Sequence, residues 1–173
     1  MAHKLIVGQT LSGKSTLARA MVKDAINRGI QPCIYDPTMS NEWGTEFVTC
    51  ESHIFFDWLR NFHASGFPVV AVIDEAETLL SQSDRQNWWL FTRGRHFAFE
   101  CIAITQRPTL VAPTVRGNCA ELYCFYINKK DAVDLSNDFG APDVEKAPEL
   151  KQGEFYRAMW IDKIKKVDKL KVF

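Results

Sequence analysis

Short unbroken apolar runs alternate along this chain with stretches whose apolar positions recur at helical spacing. Leu5-Ile6-Val7 is the first run, and a polar segment separates it from Leu17, Ala18, Ala20, Met21, Val22, Ala25 and Ile26, which share one side of a helix ending near Asn27-Arg28-Gly29. The pattern predicts strands at 3–7, 31–35, near 47–49, at 69–73, 101–105 and 121–126. Helices are expected at 14–28, 52–64 (capped by Ser52), 84–93 and 129–138. Strands that are apolar throughout, such as Val69-Val70-Ala71-Val72-Ile73, belong in a parallel sheet covered on both faces. The end of the chain differs: Gly153 to Trp160 reads as an edge strand paired with residues near 163–172. The expected architecture is α/β, a mostly parallel central sheet flanked by helices, with a C-terminal β-hairpin edge. It fills a single domain over 1–173, with a core at 1–140 and a C-terminal extension at 141–173.

The polar segment after the first strand is Gly8-Gln9-Thr10-Leu11-Ser12-Gly13-Lys14-Ser15, a complete G-x-x-x-x-G-K-S phosphate loop, followed by Thr16. A strand feeds it and a helix leaves it, which is the setting such a loop needs. Gly8 and Gly13 let the backbone curl so that its N–H groups face a phosphate chain, Lys14 reaches the β/γ oxygens, and Ser15 offers a hydroxyl to Mg²⁺. The cofactors expected are therefore ATP and Mg²⁺.

Asp74-Glu75 follows the apolar run at 69–73 directly, so both carboxylates sit at the carboxyl edge of a buried strand, where open α/β sheets bind nucleotides. Asp74 is expected to hold the metal through water and Glu75 to activate the attacking water. The competing explanation is two acids opening a helix, where they favour its dipole. Glu77, in the same run, is expected to be a solvated helix residue. Ile102-Ala103-Ile104-Thr105-Gln106 ends in an amide where the apolar residues stop. With that strand between the two motif strands, Gln106 would face the γ-phosphate and orient water. By position alone, a surface glutamine is the alternative.

Length and composition set limits. At 173 residues, 46% hydrophobic and 24% charged, the chain has enough apolar material for one packed core and is not disordered. Lys plus Arg equals Asp plus Glu at 21 each, so there is no global basic field and any DNA contact must be local. No apolar stretch of membrane-spanning length and no signal peptide is evident, and a soluble, cytoplasmic protein is expected. The five cysteines are odd in number and lack C-x-x-C spacing, consistent with buried free thiols; with scattered histidines they make a zinc site a poor fit.

The segment from Arg93-Gly94-Arg95 through Cys101-Ile102-Ala103-Ile104-Thr105-Gln106-Arg107-Pro108 resembles the signature of the FtsK/HerA ATPases, which pump double-stranded DNA. Tyr35-Asp36-Pro37 resembles the Asp-Pro after that group's second strand, and the likeness spans roughly residues 4 to 127. Within the group, the genome-packaging ATPases of membrane-containing icosahedral viruses match best. The resemblance implies a RecA-like P-loop fold, a ring of six subunits, ATP sites between neighbours, and an arginine finger supplied in trans. Arg95 and Arg93 match the family's arginine region, and Arg116 is a third choice. It further implies double-stranded DNA as cargo and the capsid vertex or membrane proteins of a virion as partners, in the host cytoplasm or associated with the virion.

Departures from that family sharpen the reading. The phosphate loop begins at residue 8, so a motor core is expected with no N-terminal barrel or membrane region before it and no winged helix after it. Leu11 stands where the family often has glycine. For DNA contact, residues 151–173 carry seven basic against three acidic residues, an excess of four, although lysines also blunt sheet edges. The loop 37–44 and the segment after Glu75 are the other candidates. Trp88, Trp89 and Phe91 suit core or subunit packing better than base stacking. A filamentous-phage assembly ATPase, a small-molecule P-loop kinase and a nucleotide-holding scaffold are the rival readings.

Overall fold

The computed structural model describes residues 2–39, 42–161 and 164–172, and their side chains except those of Arg95, Trp160, Ile161 and 164–167. Eight strands form one sheet: β1 (Lys4–Val7), β2 (Gln31–Tyr35), β3 (Val48–Thr49), β4 (Val69–Ile73), β5 (Phe99–Thr105), β6 (Glu121–Cys124), β7 (Glu154–Ile161) and β8 (Ile164–Lys171). Their order is β3-β2-β4-β5-β1-β6-β7-β8. All pairs from β3 to β6 are parallel, and β7 and β8 return antiparallel. The helices are α1 (Lys14–Asn27), α2 (Ser52–Ser65), α3 (Trp89–Thr92), α4 (Pro113–Gly117) and α5 (Lys129–Phe139).

Side chains of neighbouring strand residues point to opposite faces, and the core divides accordingly. Ile6, Val70, Val72, Ile102 and Ile104 meet Ala18, Val22 and Ala25 of α1 on one face. Leu5, Val7, Ala71, Ile73, Phe99 and Ala103 meet Phe55 and Leu59 of α2, Leu135 of α5 and the short elements between them on the other. With both faces covered, β4 is buried at all five positions, which is why it reads as a continuous apolar run.

The short elements depart from the periodic reading. The single helix expected at 84–93 is a 3₁₀ turn at Arg85–Asn87 followed by the four-residue α3. Local side-chain bonds hold this stretch: the Asp84 carboxylate accepts from the Ser81 N–H and hydroxyl, Asn87 Nδ2 donates to Leu79 O, and Trp88 Nε1 donates to Ser81 O. Such bonds offer the backbone an alternative to a continuous helix. Ser52 is the first residue of α2 rather than its cap; Glu51 occupies the cap position without a capping side-chain bond. A 3₁₀ segment at Pro142–Glu149 has no counterpart in the expected elements. β7 is not an edge strand, since it pairs with β6 on one side and β8 on the other. Phe91 is fully buried, and Trp88 and Trp89 pack against the same core, as expected for core aromatics. Four cysteines are buried as expected, whereas Cys50 is exposed.

Phe99 opens β5 and is surrounded by the rings of His63, Trp89 and Phe97. Truncating so fully buried an aromatic leaves a cavity that the surrounding strands cannot close. Phe99→Ala is expected to lower unfolding free energy by about 3–5 kcal/mol, measured by urea denaturation; a loss below about 1 kcal/mol would contradict this packing role.

Candidate functional site

The parallel register brings the chemistry to one edge. Val7 pairs with Thr105 and with Cys124, and Ile73 pairs with Ala103 and with Tyr35. The residues that follow these strand ends therefore converge: the phosphate loop after β1, Asp74-Glu75 after β4, Gln106 after β5, and Asp36 after β2. β5 lies between β1 and β4, the position the sequence required for Gln106 to look onto the loop.

The phosphate loop is anchored on both sides. Gly8 N–H donates to Thr105 O at 3.3 Å and Gln9 N–H to Tyr126 O at 2.9 Å. The two motif glycines serve different ends. Gly13 has φ 113, a conformation that only glycine adopts without strain, and it caps α1. At Gly8 the issue is space: a Cβ would lie 2.6 Å from Phe125 Cβ and 2.7 Å from Ser12 Oγ. Past Gly13, the first N–H groups of α1 lack intrahelical acceptors, and the helix dipole adds positive potential there. Ser12 Oγ is buried with no hydrogen-bond partner among the described residues.

Lys14 is only 8% exposed, and its Nζ donates to Gln9 O at 2.9 Å. Burial lowers its pKa, while the carboxylates of Asp74 and Glu77 pull it back up. Asp74 shows the opposite cost: burial pushes its carboxyl up to about 6, although it accepts the Glu75 N–H at 3.0 Å and feels Lys14. Glu75 itself sits at φ 47, ψ 53, left-handed for a non-glycine residue. That costs on the order of 1–3 kcal/mol and is a conformation that proteins retain mainly at functional sites. Leu11, at φ 62 in the phosphate loop, is a second such position, with its side chain 82% exposed.

A cleft of about 450 Å³ joins these groups, lined by residues 10–16, Thr38, Asp74, Glu75, Thr105, Gln106 and Gln152. Across it, Thr10 Oγ1 donates to Gln106 Oε1 at 2.9 Å. Thr38, Thr105 and Gln152 are the residues that sequence reasoning missed. Thr38 follows the Asp36-Pro37 pair, which was a usable signal; Gln152 carried none.

Several expected residues lie elsewhere or act differently. Glu77 is half-buried in a 3₁₀ turn, with Oε2 buried and without a hydrogen-bond partner among the described residues, so the solvated-helix expectation fails. Arg116 is held within its own chain: Nε donates to Asp138 at 2.7 Å, and Nη1 to the carbonyls of Pro108 at 3.0 Å and Val111 at 2.6 Å. A guanidinium so engaged clamps the segment after β5 onto α5, and this departs from the finger role. Arg93 is exposed, with no hydrogen bond or ion pair from its side chain among the described residues. The side chain of Arg95 lies outside the described residues. In the loop 37–44, Ser40 and Asn41 are likewise outside them, and Trp43 is buried, donating to Asp36 Oδ2 at 3.0 Å. In the basic tail, Arg157 pairs with Glu121 at 2.7 Å and Lys169 with Glu154 at 3.2 Å, which reduces the unpaired charge; Lys163 and the side chains of Lys165 and Lys166 fall outside the described residues. Among the described residues, no helix is long and apolar enough to cross a membrane.

Solved structures share this fold over nearly the whole chain. The DNA-packaging ATPase B204 of Sulfolobus turreted icosahedral virus superposes with TM-score 0.78 at 22% identity, covering 96% of each chain. The fold is that of the RecA-like P-loop ATPases. The genome-packaging NTPase B204 of Sulfolobus turreted icosahedral virus 2, bound to AMPPCP, matches with TM-score 0.75 at 20% identity, over 96% of this chain and 95% of that one. VirB4 of Thermoanaerobacter pseudethanolicus matches with TM-score 0.75 at 11% identity, over 98% and 88%. No protein-family model and no curated protein sequence matches the chain. At such identities the likeness establishes the fold, and the residues must carry the function.

The Asp74 carboxyl gives a test that needs no nucleotide. Its folded pKa is raised, so the charged form opposes folding: the penalty is absent below the unfolded value of 3.8 and complete above about 6. Asp74→Asn should therefore raise the melting temperature of the nucleotide-free protein at pH 8 and bring little gain at pH 4. An equal shift at both pH values would contradict the burial account.

Proposed function

We propose that the protein is an ATP-hydrolysing motor that moves double-stranded DNA, working as a ring and packaging a viral genome. One observation carries the catalytic half: Lys14, Ser15, Asp74, Glu75 and Gln106 line a single cleft at the carboxyl edge of the sheet. The fold shared with two viral packaging ATPases supports the motor half.

Within the cleft, the loop N–H groups and Lys14 receive the β- and γ-phosphates, so charge that builds on the γ oxygens is met by fixed donors. Glu75 accepts a proton from the water that attacks the γ-phosphorus as the bond to the β–γ bridging oxygen breaks. Gln106, held by Thr10, orients that water. Ser15 and Asp74 are the oxygen donors suited to Mg²⁺, and a carboxyl that burial drives up to about 6 fits a place where a cation is expected. When bound, the ion supplies charge neutralisation across the phosphate oxygens. Arg93 and Arg95 remain the fingers offered to a neighbouring subunit in the ring, and Arg93 is free enough to reach one. DNA, capsid-vertex proteins and membrane proteins of a virion are the partners this reading assigns.

Two substitutions separate binding from turnover. Lys14→Ala should weaken ATP binding by about a hundredfold or more, the scale expected when a buried ammonium no longer donates to phosphate oxygens. Glu75→Gln should leave the dissociation constant for ATP within about threefold while steady-state hydrolysis falls by at least about a hundredfold. Wild-type turnover in Glu75→Gln, measured by phosphate release, would remove Glu75 as the base.

A further inference from the structure

A second hollow lies against the phosphate loop and shares Thr10, Leu11, Ser12 and Gln152 with the first cleft. It measures about 290 Å³ and is lined by Gln9, Thr10, Leu11, Ser12, Tyr126, Leu150 and Gln152. Whole-ligand pockets begin at about 300 Å³, so this hollow has room for part of a ligand that is already held next door. The sheet order says which part. Asp74, Glu75 and Gln106 stand on the β4/β5 side of β1 and mark where the terminal phosphate lies. Tyr126 and Gln152 stand on the β6/β7 side. A phosphate chain crossing the loop with its terminus at Glu75 delivers its nucleoside to the opposite side.

The antiparallel return of β7 puts Gln152 there. Tyr156 pairs with Cys124, so the turn before β7 lies over the carboxyl end of β6 beside the phosphate loop. Two bonds fasten it: Gly153 N–H donates to Ser12 O at 3.0 Å, and Gln152 Nε2 donates to Leu11 O at 3.1 Å. A carbonyl can only accept, so the amide must present Nε2 to Leu11 and its oxygen away from it. Among the described residues Gln152 Oε1 has no hydrogen bond. Tyr126 is 39% exposed, and Leu150 is buried beside it. The hollow thus combines an aromatic face, an apolar floor and one fixed acceptor.

We propose that this hollow is the base subsite, and that Gln152 makes it selective for a purine with an exocyclic 6-amino group. The inference rests on the nucleotide reading of the phosphate loop. Gln152 Oε1 accepts from the 6-amino group of adenine and meets only a carbonyl oxygen in a 6-oxo purine. Tyr126 supplies a stacking face and Leu11 an apolar edge, neither of which distinguishes the two bases. Gln152 thus has two parts: Nε2 holds the phosphate loop at Leu11, and Oε1 is left to read the base.

Equilibrium binding of ATP, inosine triphosphate and inorganic tripolyphosphate tests it in wild type, Gln152→Met, Tyr126→Ala and Lys14→Ala. Wild type is expected to prefer ATP over inosine triphosphate by about tenfold, the yield of one partly solvated hydrogen bond and one repulsive pair. Gln152→Met should bring that ratio close to one, while tripolyphosphate, which has no base, loses only what the missing bond to Leu11 costs, about threefold or less. Tyr126→Ala should weaken both nucleoside triphosphates by about tenfold, as loss of a stacking face does, and leave tripolyphosphate alone. A ratio near one in wild type, or a ratio that survives Gln152→Met, overturns the inference while Lys14-dependent binding keeps the nucleotide reading intact. A loss of tripolyphosphate affinity in Gln152→Met as large as the loss for ATP also overturns it, since the side chain would then act only by holding the loop. Binding of ATP and tripolyphosphate that ignores Lys14→Ala would instead remove the nucleotide reading itself.

Discussion

The site depends on register in the parallel sheet. Each parallel strand ends opposite its neighbour, so residues distant in sequence arrive at one edge. The ladder of β4, β5 and β1 sets the spacing of Asp74, Gln106 and the phosphate loop, and the bonds from Gly8 to Thr105 and from Thr10 to Gln106 hold it. A slip of one residue in β5 would turn its alternate side chains to the wrong face and remove Gln106 from the cleft. This explains why the most deeply buried strands, which touch no ligand, determine whether the site exists. The antiparallel pair β7–β8 adds a second consequence: it reverses the chain so that the turn at 151–153 comes back over the same edge and fastens to the phosphate loop.

Around that edge the protein holds groups in states that cost free energy in isolation. Lys14 and Asp74 are both largely removed from water, and burial pushes each toward its neutral form. Glu75 and Leu11 occupy left-handed backbone conformations. Ser12 Oγ and Glu77 Oε2 are buried without hydrogen-bond partners among the described residues. Charge and donors already fixed in place are what a phosphoryl-transfer site requires, because nothing then needs to reorganise when charge builds on the γ-phosphate. The surrounding core compensates: both faces of the sheet are packed, so local strain can persist without loosening the fold.

Sequence makes the strand ends legible because strands covered on both faces appear as continuous apolar runs, and the first polar residue after each run is the edge residue. Gly8 to Ser15, Asp74, Glu75 and Gln106 are all visible in this way. The stretch between Thr78 and Phe97 is not, because its turns are held by Asp84, Asn87 and Trp88 bonding to nearby backbone, which leaves no period to read. The engagement of Arg116 is hidden for a related reason: two of its three acceptors are backbone carbonyls, invisible to a pattern of residue types. Gln152 reaches the cleft only through the pairing of β6 with β7, a contact between distant segments that a reading of the tail as an edge strand could not place.

The activity proposed for this cleft is hydrolysis of ATP by a DNA-engaged ring. Steady-state phosphate release, measured with and without long double-stranded DNA over a range of protein concentrations, tests it most directly. Turnover per subunit that rises with both DNA and protein concentration is the predicted result, because neighbouring subunits would then complete one another's sites. Turnover per subunit that ignores both would contradict the account and describe a self-contained nucleotide site.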